Sequence, residues 1–187
     1  MTEEVQRAAE YITSGGVILY PTDTIWGIGC NAKNEAAVDR IYKIKQRSDS
    51  KSMLVLMNGI RMLEDHLIQI PDQTHKLLDL AQKPTTLIFP GAKNLAENLL
   101  AEDGSVGIRI SSDPFCQQLI ELTGLALVST SANISGEPSP SLFSEIDPQI
   151  KQLVDYVVKW RQNECEPASP SAIIKLESDG ASSVIRP

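Results

Sequence analysis

Four short stretches of this sequence carry side chains that can hold a small charged molecule or move a group on it. Residues 43–51, KIKQRSDSK, set Lys43, Lys45, Arg47 and Lys51 against one acid, Asp49, in a chain whose formal charge is -7. A local reversal of sign suits an anion such as a phosphate. The same cations also fit the last turn of a helix, where they complement the macrodipole and stay solvated. Thr22, Asp23 and Thr24, after Tyr20 and Pro21, offer two hydroxyls and a carboxylate, for a ligand or for capping a turn. In SVGIRI, residues 105–110, strand alternation puts Val106, Ile108 and Ile110 on one face and Gly107 and Arg109 on the other. Gly107 leaves that second face open to close approach, and Arg109 there could meet a ligand or form an edge salt bridge. Last, STSANISG at 129–136 gathers hydroxyls and one amide, able to hold a polar ligand with few charges or to form a polar loop.

These groups need elements to place them. Val5, Ala8, Ala9 and Ile12 recur at helical spacing up to Gly15-Gly16, and the apolar run 17–20 reads as a buried strand ended by Pro21. A second strand is expected over 25–30, which leaves Thr22, Asp23 and Thr24 at a strand edge or turn. Asn34 can cap a helix running to about Lys45, with Val38, Ile41 and Tyr42 inward. It delivers the basic stretch to a loop before a strand at 53–57. Two helices, 60–67 and 72–81, a strand at 85–89 and a short helix around Leu95, Leu99 and Leu100 follow. Ser112-Asp113-Pro114 starts a helix through 123, stopped by Gly124. The strand 125–128 then runs into the hydroxyl-rich loop. Asp147-Pro148 starts a helix to about Val154, and a strand is expected at 156–160. A polar loop over 161–170 precedes a closing hairpin of 172–176 and 183–186 about Asp179-Gly180. Irregular alternation of this kind implies an α/β (α+β-like) fold, a twisted mixed sheet with helices packed on it.

Composition narrows the chemistry. A chain of 187 residues with 42% apolar and 22% charged residues is an ordinary globular domain with room for a sizeable core. Cys30, Cys116 and Cys165 are odd in number and widely spaced, which argues against a disulfide framework or zinc site and for a reducing cytoplasm. No secretory h-region or membrane-length apolar span is present. A pI of about 4.9 disfavours a broad nucleic-acid footprint. His66 and His75 lack companion ligands and receive no role. No Walker loop, dinucleotide GxGxxG or GxSxG elbow occurs.

Taken in order, YPTDT at 20–24 followed by GIGC, KxR at 45–47, VGIRI at 106–110 and STSANISG at 129–136 resemble the YrdC family, the threonylcarbamoyl-AMP synthases. The likeness runs from about Val17 to Arg186. It implies one YrdC-like domain over 1–187, with a basic concave cavity that condenses ATP, bicarbonate and L-threonine into threonylcarbamoyl-adenylate and pyrophosphate. Matching positions imply that Lys45 and Arg47 act on ATP phosphates, joined by Lys51, Ser105, Asn133, Ser141 and Arg186. Thr24, Arg109, Ser131 and Ser171 would hold threonine, with Arg109 on its carboxylate. Mg²⁺ would be held mainly by the ATP phosphates. The product would pass to a tRNA threonylcarbamoyl transferase complex, and contact with RNA is conceivable. Clustered cations plus Mg²⁺ suffice for nucleotidyl transfer, so the want of a catalytic Cys or His is no objection.

The sequence departs from the family pattern where Asn-Pro-Leu and then a His often follow the KxR. Here stand Lys51, Ser52, Met53 and, in place of the His, Leu56. A Ser-Thr pair near the end is Ser171-Ala172, and the extra C-terminal domain of longer members is not expected. Two other readings share the fold. One is a non-catalytic RNA-binding member, against which net acidity counts. The other is a carbamoyl-adenylate enzyme of hydrogenase maturation, whose acylphosphatase and zinc-finger regions are not found here.

Overall fold

The structure, a computed structural model, describes residues 1–46, 53–177 and 181–187. Helix α1 (Thr2–Thr13) turns Val5, Ala8, Ala9 and Ile12 onto the core, the stripe its apolar spacing requires. Strand β1 (Ile18–Tyr20) is followed by a bend through 22–25 and by β2 (Gly27–Gly29). Helix α2 (Glu35–Ile44) begins at Asn34, whose side chain accepts from Ala37 N, and ends at Lys45. Next come β3 (Leu54–Met57), α3 (Ile60–His66), α4 (Gln73–Leu80), β4 (Thr85–Phe89) and β5 (Val106–Ile110). Helix α5 (Pro114–Thr123) has Asp113 bound to the Phe115 and Cys116 amides and a left-handed Gly124 at its end, the stop that glycine makes without a Cβ penalty. Strand β6 (Leu127–Ser131), α6 (Pro148–Leu153), β7 (Tyr156–Val157), β8 (Ala172–Leu176) and β9 (Ser182–Arg186) complete the chain.

The strands form one mixed sheet in the order β7-β1-β2-β6-β3-β5-β4-β8-β9. The pairs β1/β7, β3/β5 and β4/β8 are parallel and the others antiparallel. A continuous core joins α1 and α5 to the sheet, with Ile12, Leu19, Ile28, Val128 and Phe115 almost wholly excluded from solvent. Truncating a ring such as Phe115 to Ala there would cost about 3–5 kcal/mol. Among the described residues no helix is long and apolar enough to cross a membrane.

Three strands differ from expectation by more than a residue. β2 keeps only the three residues that pair with β1. β6 lies two residues later than its apolar run suggests, because Thr130 and Ser131 pair with Ile28 and Gly27 of β2. The hydroxyls of 129–131 are therefore on a strand rather than in a loop. β7 covers only Tyr156 and Val157, in register with Ile18 and Leu19, and the ladder ends where Val158 N donates to Leu19 O at 2.9 Å. The Asp179-Gly180 turn lies outside the described residues, while the strands on either side pair as expected.

Candidate active site

One face of β2, β3, β5 and β6, closed by β8 and β9, encloses a cavity of about 250 Å³. Its floor follows from the alternation in β5: Val106 and Ile108 enter the core while Gly107 and Arg109 line the cavity. A Cβ on Gly107 would meet Thr86 Cγ2 and Leu54 Cβ at 3.4 and 3.6 Å, ordinary contacts, so the glycine adds space rather than relieving strain. Leu54 is in register with Gly107, and Leu56 with Arg109. Leu54 lines the cavity, whereas Leu56, at the position where the family pattern often has His, is fully buried.

Arg109 is the central charge. Only 3% of its side chain is exposed, and its Nη2 lies 3.0 Å from Asp23 Oδ1, itself 6% exposed. The same nitrogen donates to Thr24 Oγ1 at 3.1 Å. Arg109 Nε is buried without a hydrogen-bond partner, an unusual state for so strong a donor. Asp23 also accepts from Ser112 N at 3.3 Å, which ties the 22–24 bend to the start of α5. On the far side of that bend Arg161 donates to the carbonyl of Thr22 at 3.2 Å and to Asp113 Oδ2 at 2.5 Å. Burial pushes the Asp113 carboxyl above its ordinary range, opposed by its amide bonds and by Arg161.

A second guanidinium enters from β9. Arg186 lines the cavity and its Nε donates to Ser171 O at 2.9 Å. Burial, and then the charge on Arg109, pull its pKa below the usual arginine value. Beside the Arg109–Asp23 pair, Arg186 adds a further positive charge to the cavity, which favours an anion there. Ser171 shares a 2.8 Å hydrogen bond with Thr86, another cavity residue. The apolar part of the wall includes Trp26, whose ring centroid lies 4.7 Å from that of Phe143.

The structure brings together Thr24, Arg109, Ser131 and Ser171, the set expected to hold threonine, and adds Arg186 from the ATP set. Others of the ATP set lie outside the cavity. Lys45 is buried at the end of α2, its Nζ donating to Ser131 O at 2.5 Å and Asn133 O at 2.7 Å. That is neither a solvated last-turn cation nor a loop residue, and it latches α2 to the end of β6. Asn133 spends its amide on the carbonyls of Ile134 and Glu137. Ser141 bonds Glu145 and borders a small neighbouring recess. The amide of Ser105 donates to Asp103. Arg47 and Lys51 lie outside the described residues. Sequence reasoning overlooked Thr86 and Trp26. The strand periodicity of β4 could have placed Thr86 beside Gly107, since Ile88 and Gly107 pair across β4 and β5, but nothing in the pattern singles out Trp26.

The Sua5/YciO/YrdC family model, described as "Telomere recombination", matches residues 10–187. Among curated relatives, the threonylcarbamoyl-AMP synthase of Xanthomonas euvesicatoria pv. vesicatoria is 34% identical over 84% of this chain and 86% of that protein. The one from Stenotrophomonas maltophilia is 35% identical over 82% and 84%. Among solved structures, E. coli YciO superposes with a TM-score of 0.85 at 26% identity, covering 100% of this chain and 89% of that one. P. abyssi Sua5 complexed with L-threonine superposes with a TM-score of 0.83 at 25% identity. The match takes in 98% of this chain but 53% of that Sua5, so the chain spans about half its length. By motif order, fold and similarity alike, the chain belongs to the Sua5/YciO/YrdC family.

Proposed function

We propose that this protein is an L-threonylcarbamoyladenylate synthase, a nucleotidyltransferase that joins L-threonine, bicarbonate and ATP and releases pyrophosphate. The observation that carries the reading is Arg109, a buried guanidinium that lines a cavity shared with Thr24, Ser131 and Ser171. A planar fork of donors of this kind suits a carboxylate. At about 250 Å³ the cavity is below the usual 300–1,000 Å³ of a site for a drug-sized ligand. It suits an amino acid lodged inside, with the nucleotide at its mouth.

In this reading the threonine carboxylate meets Arg109, its ammonium gives up a proton, and the free amine combines with bicarbonate to give a carbamate and water. A carbamate oxygen then forms the new bond to the α-phosphorus as the bond to pyrophosphate breaks. Arg186 stabilises charge on the phosphates, with Lys45, Arg47, Lys51, Ser105, Asn133 and Ser141 as further ATP-binding candidates. For Lys45 this requires exchanging its carbonyl partners for phosphate oxygens. Mg²⁺ would arrive on ATP, whose phosphates supply the hard oxygen ligands it prefers. The adenylate would pass in the cytoplasm to a tRNA threonylcarbamoyl transferase complex.

The test is pyrophosphate release by the purified protein with ATP, Mg²⁺ and bicarbonate, comparing L-threonine, L-serine and no amino acid. Threonine-dependent release is expected. ATP binding without release, together with RNA binding that falls steeply as salt rises, would replace the enzyme reading by a non-catalytic RNA-binding one.

A further inference from the structure

We infer that Thr22, which does not line the large cavity, is a positioning residue that fixes the Thr24 hydroxyl as a hydrogen-bond acceptor for the α-ammonium of the amino-acid ligand. The inference rests on the synthase reading above and concerns how the same cavity distinguishes donors from acceptors.

Thr22 is 1% exposed, and its Oγ1 lies 2.9 Å from Ile25 O. A carbonyl cannot donate, so the one hydroxyl proton of Thr22 is committed to it. Thr22 Oγ1 meanwhile accepts from Thr24 N at 3.0 Å. The remaining contact, 3.0 Å between the two threonine hydroxyls, must therefore use the proton of Thr24. Arg109 Nη2 donates into Thr24 Oγ1 from the other side at 3.1 Å. The chain of bonds has a single direction, from Arg109 through Thr24 and Thr22 to Ile25 O. Thr24 has spent its proton and one of two lone pairs, and what it can offer a ligand is an acceptor.

The ligand group follows from geometry. With the carboxylate on Arg109, a hydroxyl oxygen 3.1 Å from that guanidinium is near the substituent one carbon away, which in an amino acid is the ammonium. Thr22 is held for this task from behind, because its own carbonyl accepts from Arg161, and Arg161 is anchored on the α5 cap Asp113. Without the Thr22 hydroxyl, Thr24 loses the acceptor for its proton and turns that proton toward the cavity, where it opposes the ammonium.

The experiment titrates the full chain, as wild type, Thr22→Val and Thr22→Ser, with L-threonine and with 3-hydroxybutyrate, which keeps the carboxylate and hydroxyl but has no α-nitrogen. Hydrogen bonds to charged groups imply that Thr22→Val weakens L-threonine binding about tenfold or more. Binding of 3-hydroxybutyrate should be unchanged, and Thr22→Ser should restore the threonine affinity. Thr22→Ala provides the same deletion should valine prevent folding, which thermal melting would reveal. Equal weakening of both ligands would mean that the bend has merely loosened, and an unchanged threonine affinity would mean that Thr22 sets nothing; either overturns the inference while leaving the synthase reading intact. If the wild type neither binds threonine nor releases pyrophosphate, both fall together.

Discussion

The buried pair Arg109 and Asp23 allows the stability role and the proposed ligand role of one side chain to be separated. Both groups are almost completely out of water, at 3% and 6% exposure. Replacing Arg109 by Met leaves the Asp23 carboxylate with only the long bond from Ser112 N, and stranding one buried charge costs about 3–5 kcal/mol. For a chain of this length each kcal/mol lowers Tm by about 2–4 °C, so Arg109→Met should melt roughly 6–20 °C lower. Adding Asp23→Asn removes the stranded charge and should recover most of that loss. Threonine binding should not recover, because the donor proposed for its carboxylate is still missing. At about 1.5–3 kcal/mol for a charge-assisted bond, the KM for threonine should rise roughly 10–160-fold while the KM for ATP changes little. Thermal melting and pyrophosphate release across the double-mutant cycle read both quantities. A double variant as unstable as Arg109→Met, or one with the wild-type KM for threonine, would refute the reasoning.

Three further outcomes are expected. A Cβ on Gly29 would sit 2.0 Å from Val128 O and 2.7 Å from Tyr20 Cε1, so Gly29→Ala should lose more than about 3 kcal/mol by overpacking in urea unfolding, while Gly59→Ala, with nothing within 4 Å, should be near neutral. The hydrogen bond from Arg40 holds the Asp155 carboxyl below its ordinary range, and bonds from Ser105 hold Asp103 at about 2. These folded-state values are depressed, so the stability they confer is present above the ordinary aspartate pKa and lost as pH falls through the folded ones; urea midpoints should drop across that acid window, less steeply in Asp155→Asn. Trp26 lines the cavity and Trp160 does not, so saturating L-threonine should change tryptophan fluorescence in Trp160→Phe and leave it unchanged in Trp26→Phe.

Much of the site could be read from residue order because strand alternation is strict. Placing Gly107 and Arg109 opposite Val106 and Ile108 required only the period of two, and Asn34, Asp113 and Gly124 marked helix ends through local backbone chemistry. The end of α2 at Lys45 agrees with a helix running to about that residue. The fate of Lys45 was not, since carbonyls of Ser131 and Asn133, some 86 residues away or more, decide whether its ammonium meets solvent. The extension of β6 through Ser131 escaped notice because polar residues continue a strand when a neighbour such as Gly27 offers a partner. Of the two things its composition allowed, the stretch 22–24 shows the turn. Thr22 closes a local turn onto Thr24 N, and Thr24 faces the cavity.

The strand order bears on how the molecule comes to be. Among the described residues, only β1 with β2, β4 with β5 and β8 with β9 join neighbours along the chain; every other pairing there bridges a long stretch of intervening sequence. Loop closure must be met before such contacts reward it, so the protein should fold slowly for its size, on the millisecond to second scale. Because the cavity draws on residues from Thr24 to Arg186, a ligand there touches only the finished topology. It should leave the folding rate unaltered and slow unfolding, acting as a reversible staple between strands far apart in sequence.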